Sequence, residues 1–540
     1  MNETHLLVIG GGPVGLSAAL LASQYGIPCT MVEKFPQPYA HPKARGVRDR
    51  GMELFRFWGL EEEIRAQAIQ SPQYGFVYCD SLTGEEYGRT PPGQEDTTLG
   101  PSGTCRIPQD TLERILRERV ATAPGVEALF GTTVSRLTQE GHQVRAVLEP
   151  TAGGAQRELT ARYVIACDGA ASPTRASLSI TMEGETVGYW QSVYWHGDIS
   201  ALLHDRTAIQ FLTAAKDGGF VTVAPVDGHT RWLTFRMRSK DSGHPGTLTQ
   251  FQAHDLIEAA VGEPCPADII SAATYAVEAR VAERYRAGSM FLAGDAAHVF
   301  PPTGGFGLNT GVQDVHNLVW KIDLVRRGLA PRELLDTYES ERRPVACSNA
   351  RWSKQNAERF DAVWERIATK APAGAPIDRQ RAHLAALERD LAFRYTDGAL
   401  APSADDADDA DGEDVDPFTA AVGRRAPHLW LRSEGEHRSL LDILDGHFTL
   451  LYGPEGQDWQ TAATHIGEHL QLPLKTVQVP GADCDVDPRE FARLYRMAPG
   501  GALLVRPDGH VAWMHDEADP GFHTPLMTDA LRRTLGGDGG

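Results

Sequence analysis

The sequence lacks any apolar run that could cross a membrane. No stretch reaches the ~18 uninterrupted apolar residues that a membrane-spanning helix needs. The first apolar run, Leu6–Ile9, is too short for the core of a secretory signal, and no basic segment precedes it. The sequence therefore predicts no membrane span and no secretory signal.

Cysteine is scarce and scattered. The seven cysteines include no C-x-x-C pair, and no cysteine–histidine cluster has the spacing of a zinc site. Such a distribution is typical of a reducing compartment, where cysteines serve as small core residues. We therefore expect a cytoplasmic protein with no metal site and no disulfide framework.

Basic residues are outnumbered by acidic ones. The chain has 52 Lys and Arg against 72 Asp and Glu, a net charge of -20, whereas binding to nucleic-acid phosphates requires a basic surface. Nucleic acid is therefore not expected as a partner. The acids concentrate at 405–416 (DDADDADGEDVD), with eight in twelve residues. This charge run is typical of a solvated linker, which we place at 401–422.

The remaining composition is that of a globular protein with several domains. The length of 540 residues is too great for one compact core and favours two to four domains. The apolar fraction of 41% and the charged fraction of 23% are ordinary for a folded protein.

A glycine-rich motif follows the first predicted strand. His5–Ile9 runs directly into Gly10-Gly11-Gly12-Pro13-Val14-Gly15, which matches G-x-G-x-x-G. A helical segment at 16–25 and a second strand at 28–32 come next, and the second strand is followed by Glu33. This is the complete strand–helix–strand context of a dinucleotide-binding fingerprint.

Each residue of the fingerprint has a physical role. Gly10 permits the tight turn out of the strand, and Gly12 lets the backbone approach a pyrophosphate. Gly15 lets the helix pack close to the sheet, and Glu33 can accept hydrogen bonds from a ribose. The alternative is a glycine-rich turn in an unrelated α/β domain. The motif itself leaves FAD and NAD open.

Two further predicted strands run into a glycine–aspartate pair. Arg162–Cys167 is followed by Asp168-Gly169, and Met290–Ala293 is followed by Gly294-Asp295. Taken alone, either aspartate is as consistent with a helix N-cap or a turn as with a ligand contact. Because ligands of open α/β sheets bind beyond the carboxyl ends of the strands, the three regions together predict convergence on one long ligand.

In this order the three motifs resemble the single-component flavoprotein aromatic hydroxylases, of which para-hydroxybenzoate hydroxylase is the best-known member. Ala296-Ala297-His298 and the run 301–309 (PPTGGFGLN) resemble the flavin loop of that family. The resemblance covers roughly residues 1–350. Within the family, the long chain is most similar to the phenol and polyketide-tailoring hydroxylases.

The resemblance implies an FAD site. Asp295 would contact the ribityl chain, and backbone N–H groups of 304–309 would bind the edge of the isoalloxazine ring. Arg45 would pair with the FAD pyrophosphate, and Gln109 would lie near the flavin. Fingerprint and resemblance together predict these cofactor-binding residues: Gly10, Gly12, Pro13, Val14, Gly15, Glu33, Lys34, Arg45, Gln109, Asp168, Gly169, Gly294, Asp295, Pro302, Gly305, Gly307, Leu308 and Asn309.

At the reacting centre, the predicted residues are Pro302 and Gly304, which act through the backbone of the flavin loop. Pro302 would face the flavin at the substrate site, and Gly304 belongs to the loop that carries the ring. No side chain is assigned as an acid or a base, because the tyrosine pair of para-hydroxybenzoate hydroxylase has no match here. Asp168 and Gly169 are associated in the family with both FAD and NAD(P)H. NAD(P)H would visit this groove, because no second G-x-G-x-x-G follows a strand.

The middle and the tail of the chain suggest two further units. Alternating aromatic and β-branched runs at 188–195, 220–223 and 231–236 predict a half-buried sheet. Past the linker, a strand at 448–452, a helix at 461–470 and a hairpin at 501–514 resemble the thioredoxin-like tail of the larger flavin hydroxylases. A packing, dimer-forming or pocket-covering role is expected for the tail, because it lacks C-x-x-C.

The predicted fold class is α/β, with a Rossmann-like FAD-binding domain at 1–178 and 280–400. A β-rich substrate domain is inserted at 179–279, and a thioredoxin-like domain follows at 423–540.

The resemblance implies a monooxygenase that uses FAD and NADPH or NADH. It would hydroxylate an electron-rich phenolic or polyketide-like ring with O₂, through a flavin C4a-hydroperoxide. One alternative is a related Baeyer–Villiger oxidation, epoxidation or antibiotic-inactivating hydroxylation. Another is a non-catalytic FAD-binding redox sensor. The expected partners are the small aromatic substrate and O₂, and the resemblance allows a homodimer.

Overall fold

The computed structural model describes residues 3–39, 41–93, 97–203, 206–215, 219–369, 373–380, 386–402, 416–432, 438–482, 484–516 and 523–536. Its strands are β1 (Glu3–Ile9), β2 (Cys29–Glu33), β3 (Tyr74–Cys79), β4 (Glu86–Arg89), β5 (Val126–Phe130), β6 (Thr132–Glu140), β7 (Gln143–Pro150), β8 (Arg157–Ala166), β9 (Met182–His196), β10 (Ala208–Ala214), β11 (Phe220–Pro225), β12 (Arg231–Ser239), β13 (Asp268–Ala282), β14 (Arg286–Ala287), β15 (Met290–Leu292), β16 (His298–Val299), β17 (Phe448–Tyr452), β18 (Leu474–Gln478), β19 (Ala502–Val505) and β20 (Val511–His515).

Helices cover the sheets and connect them. They are α1 (Pro13–Gln24), α2 (Asp49–Phe57), α3 (Glu61–Ala66), α4 (Gln109–Ala121), α5 (Pro173–Ser177), α6 (Gln250–Val261), α7 (Phe306–Arg326), α8 (Thr337–Ala368), α9 (Gly374–Arg379), α10 (Leu387–Leu391), α11 (Gln457–Leu470), α12 (Pro488–Tyr495) and α13 (His523–Thr534).

The first sheet contains the three predicted motif strands side by side. Its order is β14-β15-β8-β1-β2-β5, and β7 and β6 extend it from β8. β1 runs parallel to β2 and β8, and β15 runs parallel to β8. Such a parallel sheet needs near-continuous apolar strands because both faces are covered, as the buried stretch Leu6–Ile9 illustrates.

Backbone hydrogen bonds align the carboxyl ends of these strands. The nitrogen of Gly10 donates to the carbonyl of Val32 at 2.8 Å, and that of Cys167 donates to the carbonyl of Ile9 at 2.7 Å. The nitrogen of Ala293 donates to the carbonyl of Ala166 at 3.0 Å. The three motifs therefore leave the sheet at one edge, as predicted.

The second sheet is larger than the predicted substrate domain. Its order is β16-β13-β9-β12-β11-β10-β3-β4, so it includes β3 and β4 at 74–89, outside the predicted span of 179–279. β3 pairs parallel with β10, with Tyr74 opposite Ala208. Such pairing joins distant parts of the chain and leaves no local sequence signal. The domain limits otherwise stay a prediction.

The C-terminal sheet has the order β18-β17-β19-β20. β17 and β18 are parallel, whereas β17, β19 and β20 are antiparallel to one another in turn. This confirms the predicted strand at 448–452 and the hairpin at 501–514. The predicted acidic linker at 401–422 lies mostly outside the described residues, since 403–415 are not described.

Buried charges join the C-terminal sheet to the long helices. Glu341 on α8 accepts hydrogen bonds at 2.8 Å from both terminal nitrogens of Arg506 and from Nζ of Lys321 on α7. These side chains are fully buried. Burial raises the pKa of Glu341, but Arg506 and Lys321 outweigh it and bring the pKa to about 2.

Helix α7 begins earlier than its sequence pattern predicts. The helical spacing of Leu318, Ile322 and Val325 predicts a helix over 312–327, whereas α7 starts at Phe306. Glycines at 307 and 311 obscure its first turns because glycine is a poor helix former. This displacement places the N-terminus of α7 inside the glycine-rich loop.

Candidate functional site

A cavity of about 1770 Å³ lies between the carboxyl edge of the first sheet and the second sheet. It is larger than the ~300–1,000 Å³ of ordinary ligand pockets and can therefore hold an extended ligand together with a second molecule. Of the predicted site residues, these line it: Gly12, Pro13, Val14, Gly15, Arg45, Gln109, Gly169, Asp295, Pro302, Gly304, Gly305, Gly307 and Leu308.

The fingerprint glycines fulfil their predicted geometric roles. A Cβ added at Gly15 would lie 1.9 Å from the carbonyl oxygen of Gly10, so only glycine lets α1 pack this closely. Gly10 has φ +107° and lies against the backbone of Cys167. A Cβ at Gly12 would meet no protein atom within 4 Å. The open space at Gly12 belongs to the cavity, where a pyrophosphate can approach the backbone.

Two helix N-termini face the cavity without side-chain caps. α1 starts after Gly12 and α7 starts after Gly305, and neither capping residue provides a side-chain hydrogen bond. Both glycines line the cavity. The first N–H groups of a helix lack intrahelical partners and carry partial positive charge. The cavity therefore offers two binding positions for negative charge on a ligand.

The Gly294-Asp295 turn is held from beneath by Asp314 on α7. The Asp314 carboxylate accepts hydrogen bonds from the nitrogen of Gly294 at 3.2 Å and from Nε of Arg342 at 2.9 Å. Its Oδ2 also lies 2.7 Å from Nε2 of His298. Burial raises the pKa of Asp314, but His298 and Arg342 outweigh it and lower the pKa. Asp295 is half-buried and faces the cavity.

Glu33 and Lys34 hold the chain after β2. The Glu33 carboxylate accepts hydrogen bonds from the nitrogen of Gly11 at 2.5 Å and from that of Phe35 at 2.8 Å. Nζ of Lys34 lies 4.9 Å from the centre of the Phe35 ring. Glu33 thus shapes the glycine turn through its own hydrogen bonds. Contacts of Glu33 and Lys34 with a nucleotide stay a prediction.

Asp168 supports the start of a short helix beside the cavity. Its carboxylate accepts hydrogen bonds from the hydroxyl of Ser172 and, at 3.0 Å, from the nitrogen of Thr174 in α5. The neighbouring Gly169 lines the cavity, whereas Asp168 does not. The N-cap of α5 is Ser172, whose hydroxyl accepts a hydrogen bond from the nitrogen of Arg175 at 2.9 Å. Asp168 therefore supports this cap from the preceding turn, and its contact with a cofactor stays a prediction.

Arg45 points toward the second sheet. Its Nη1 donates to the carbonyl oxygens of Ile209 at 3.1 Å and Pro225 at 3.2 Å. Burial, reinforced by Arg106, lowers the pKa of Arg45 to about 10. These hydrogen bonds anchor one guanidinium nitrogen to the substrate-side wall, and the predicted contact with a pyrophosphate stays a prediction.

Gln109 fixes the loop that carries Arg45. Its Oε1 accepts a hydrogen bond from the nitrogen of Ala44 at 3.0 Å, and its amide nitrogen donates to Glu113 at 2.7 Å. Gln109 is the first residue of α4 and lines the cavity. It therefore orients this loop, in addition to any contact with a ligand.

The turn at 302–305 is reinforced by Asn309. Gly304 donates to the carbonyl of Pro302 at 2.9 Å, and Nδ2 of Asn309 donates to the carbonyl of Gly305 at 2.7 Å. Oδ1 of Asn309 accepts a hydrogen bond from the nitrogen of Arg48 at 2.8 Å. Asn309 is buried and supports the turn from behind, so the loop presents backbone to the cavity.

Aromatic side chains form the opposite wall. Trp190 and Phe235 stack with their ring centroids 4.2 Å apart, and Tyr275 lies 6.0 Å from Trp190. All three line the cavity. Stacked aromatic faces favour a planar ring of similar polarity. Sequence alternation predicted this sheet but could not distinguish its cavity face from its core face.

Several site residues had no signal in the sequence. Asp314 lies inside a helix, and its partners come from other parts of the chain. His41 precedes the Arg45 loop and touches two serines of the second sheet, at 192 and 271. Only the alternation of β9, which brings Trp190 and Ser192 to one face, could have placed Ser192 on the cavity side.

Metal-binding clusters and membrane-spanning helices are both absent from the described residues. None of these residues forms a group of three or more histidine, cysteine or acidic side chains that could hold a metal ion. Within the same residues, no helix is long and apolar enough to span a membrane.

Comparisons with known proteins extend over the whole chain. Residues 3–353 match the family model described as FAD binding domain, and residues 419–537 match the model of the C-terminal part of aromatic-ring hydroxylases. A 4-methyl-5-nitrocatechol 5-monooxygenase from a Burkholderia species is 36% identical over 99% of this chain and 98% of its own. Tetracenomycin A2 monooxygenase-dioxygenase from Streptomyces glaucescens is 33% identical over 100% and 99%.

Solved structures agree with these sequence relatives. The flavin-dependent monooxygenase PieE, in complex with FAD and substrate, matches with a TM-score of 0.88 and 29% identity over 99% of both chains. Aklavinone-11 hydroxylase, in a ternary complex with FAD and aklavinone, matches with a TM-score of 0.84 and 30% identity over 99% of both chains.

Proposed function

This chain belongs to the FAD-binding aromatic-ring hydroxylases and is an FAD-dependent monooxygenase, and we propose that its substrate is a planar phenolic or polyketide-like aromatic compound. NADPH or NADH would supply the electrons and O₂ the inserted oxygen. The related monooxygenases act, by name, on 4-methyl-5-nitrocatechol and on tetracenomycin A2. Both names support an aromatic substrate for this chain.

Two chemically different walls face each other across one cavity, and the proposal rests on this arrangement. One wall has the glycine turns at 10–15 and 304–305 together with two uncapped helix N-termini. The other has the stacked rings of Trp190 and Phe235. The first wall suits an extended, phosphate-bearing cofactor, and the second suits a flat aromatic ring. The cavity has room for both.

The glycine wall fits FAD residue by residue. The N-terminus of α1 beside Gly12 would bind the pyrophosphate, and the half-buried carboxylate of Asp295 would bind the ribityl hydroxyls. The N-terminus of α7, with Gly305 and Gly307, would stabilise negative charge at the edge of the flavin ring. Bound FAD supplies the redox chemistry of the reaction, from reduction by NAD(P)H to the activation of O₂.

The protein's own contribution is binding, orientation and exclusion of water. The rigid turn at 302–305 would set the position of the flavin ring. Trp190, Phe235 and Tyr275 would hold the substrate ring against it and keep water away. We place the protein in the cytoplasm as part of the same proposal, supported by its scattered cysteines.

Flavin reduction in the presence and absence of an aromatic ligand tests the proposal. Protein loaded with FAD is mixed anaerobically with NADPH or NADH, and loss of flavin absorbance is followed with and without 1-naphthol or 4-methyl-5-nitrocatechol. We expect faster bleaching with a phenolic ligand, and a hydroxylated product once O₂ is admitted. Bleaching that no phenolic ligand accelerates, with no hydroxylated product, would overturn the proposed substrate class.

A further inference from the structure

A histidine from the segment between β2 and α2 bridges two serines of the second sheet. Nε2 of His41 lies 2.9 Å from Oγ of Ser192, and Nδ1 lies 2.8 Å from Oγ of Ser271. His41 is 4% exposed and Ser192 is 1% exposed, whereas Ser271 is half-buried. Both ring nitrogens are therefore occupied by hydroxyl groups, one deep in the protein and one closer to its surface.

Of the two serines bonded to His41, Ser192 is the one on the cavity side. Ser192 lines the cavity, and it lies two residues from Trp190 on β9, so the two share one face of the sheet. Phe235, directly opposite Ser192 on β12, also lines the cavity. Ser192 is thus a polar residue within an aromatic wall, beside the position proposed for the substrate ring.

The outer end leads away from the cavity. Ser271 on β13 lies opposite Tyr194 on β9, two residues beyond Ser192. His41 connects the two positions along the sheet, because Ser192 and Tyr194 project from the same face. Ser271 does not line the cavity, in contrast to Ser192. The hydrogen bonds therefore form a continuous path from the cavity wall to a half-buried hydroxyl.

The charges around His41 favour a neutral ring. Burial, reinforced by Lys43 on its own loop, lowers the pKa of His41 to about 4. The group that faces it from β9 is the phenol ring of Tyr194, at 6.1 Å between centroids in an edge-on arrangement. A neutral imidazole donates at one nitrogen and accepts at the other, which is the condition for passing a proton along a hydrogen-bonded path.

We propose that Ser192, His41 and Ser271 carry a proton from the hydroxyl group of the bound aromatic substrate to solvent. This inference rests on the proposed function, since it needs a phenolic substrate in the cavity. Ser192 would be the group that touches the substrate, and His41 and Ser271 would act through it. The path supplies the acid–base function for which the sequence offers no candidate.

The transfer balances without any other reactant. The substrate hydroxyl gives its proton to Oγ of Ser192 while Ser192 gives its own proton to Nε2 of His41. Nδ1 of His41 releases its proton to Oγ of Ser271, which passes one to water. The electron pair of the broken O–H bond stays on the substrate oxygen. The resulting phenolate makes the ring richer in electrons for oxygen insertion.

The pH dependence of hydroxylation in His41→Gln tests the relay. Glutamine can bond both serines but cannot pass a proton onward, so we expect hydroxylation of 1-naphthol to fall about a hundredfold near neutral pH. The rate should recover toward alkaline pH, where the probe ionises before it binds. The more acidic 4-methyl-5-nitrocatechol should be much less affected. Ser271→Ala should show the same pattern in weaker form.

His428→Gln is the matched control for the loss of a buried histidine. His428 is 3% exposed, its Nδ1 lies 2.8 Å from Oγ of Ser439, and burial lowers its pKa to about 4, yet it does not line the cavity. It should leave the pH profile unchanged.

The relay is contradicted if His41→Gln loses activity equally with both probes at every pH, or keeps the wild-type rate with 1-naphthol. If the wild-type protein hydroxylates neither probe, the proposed function is contradicted. The relay is then contradicted as well, because it depends on that function.

Discussion

Nε2 of His298 lies 2.7 Å from Oδ2 of Asp314, and both side chains are fully buried. The same carboxylate accepts a hydrogen bond from the nitrogen of Gly294. Asp314 therefore ties the glycine–aspartate turn to α7, whose N-terminus forms another part of the same cavity wall. The positions proposed for the ribityl chain and the flavin ring are fixed relative to each other through this carboxylate.

Asp314→Asn should weaken FAD binding and destabilise the protein. The change leaves the buried guanidinium of Arg342 without its full counter-charge, for which a loss of about 3–5 kcal/mol is typical. The Gly294 turn loses its charged acceptor, so FAD should dissociate faster. Thermal unfolding and the fluorescence of released flavin measure the two effects.

Asp323→Asn provides the matched control on the same helix. Asp323 is buried and pairs with Arg326 at 2.7 Å and Arg327 at 3.3 Å, away from the Gly294 turn. It should lower stability without changing FAD release. Equal flavin release from the two variants would show that Asp314 has no specific effect on the cofactor site.

Gly12→Ala should separate folding from cofactor binding. A Cβ at Gly12 meets no protein atom within 4 Å, so the FAD-free protein should unfold at the wild-type temperature. The same methyl group would occupy the space proposed for the pyrophosphate, and FAD affinity should fall at least tenfold, or about 1.4 kcal/mol. Gly374→Ala, also in open space but outside the cavity wall, should change neither quantity. Wild-type affinity in Gly12→Ala would place the pyrophosphate elsewhere.

Glu341→Gln should loosen the C-terminal domain. Glutamine cannot neutralise Arg506 and Lys321, and breaking a buried ion pair of this kind costs about 3–5 kcal/mol. We expect a lower unfolding temperature and faster proteolysis of the C-terminal domain. Glu358→Gln, at an exposed position on the same helix, should behave as wild type. Unchanged proteolysis in Glu341→Gln would mean that other contacts hold the domain.

Asp390 makes stability depend on pH. Burial raises its pKa to about 6, despite the opposing effect of Arg48, whereas the carboxyl of an unfolded chain titrates near ~3.9. The folded state therefore binds more protons between about pH 4 and pH 6, and its stability falls as pH rises through this window. The expected loss is about 2–3 kcal/mol. In Asp390→Asn this loss should be absent, so its advantage over wild type should grow from pH 4 to pH 7. A constant difference in unfolding temperature across that range would contradict this assignment.

Local sequence patterns were sufficient to predict the strands and turns on the cofactor side of the cavity. The turn at Gly10 and the aspartate at 295 both follow apolar strands whose carboxyl ends must meet in a parallel sheet. Strand composition and glycine spacing are local properties, so they can be interpreted from one sequence. The predicted fold class and the aromatic hydroxylase family are confirmed.

The residues on the substrate side of the cavity could be identified only from the tertiary structure. His41 and Ser192 are separated by 151 residues in the chain, and neither belongs to a local pattern. Asp168 shows the opposite limit, because its aspartate–glycine pattern suits a ligand contact and a cap or turn equally. In the structure its carboxylate bonds to Ser172 and Thr174 at the start of α5, where Ser172 is the cap. Contacts between residues far apart in the chain decide whether such a side chain faces a ligand or supports the fold, and one sequence does not show these contacts.

Oxygen isotope labelling tests the central claim most directly. The FAD-loaded protein is supplied with NADPH, a phenolic probe such as 1-naphthol, and ¹⁸O₂, and the product is analysed by mass spectrometry. We predict flavin reduction that the phenol accelerates and a hydroxylated product that carries oxygen-18 from the gas. A product whose new oxygen comes from water, or rapid NADPH oxidation that yields only hydrogen peroxide with every phenolic probe, would contradict it.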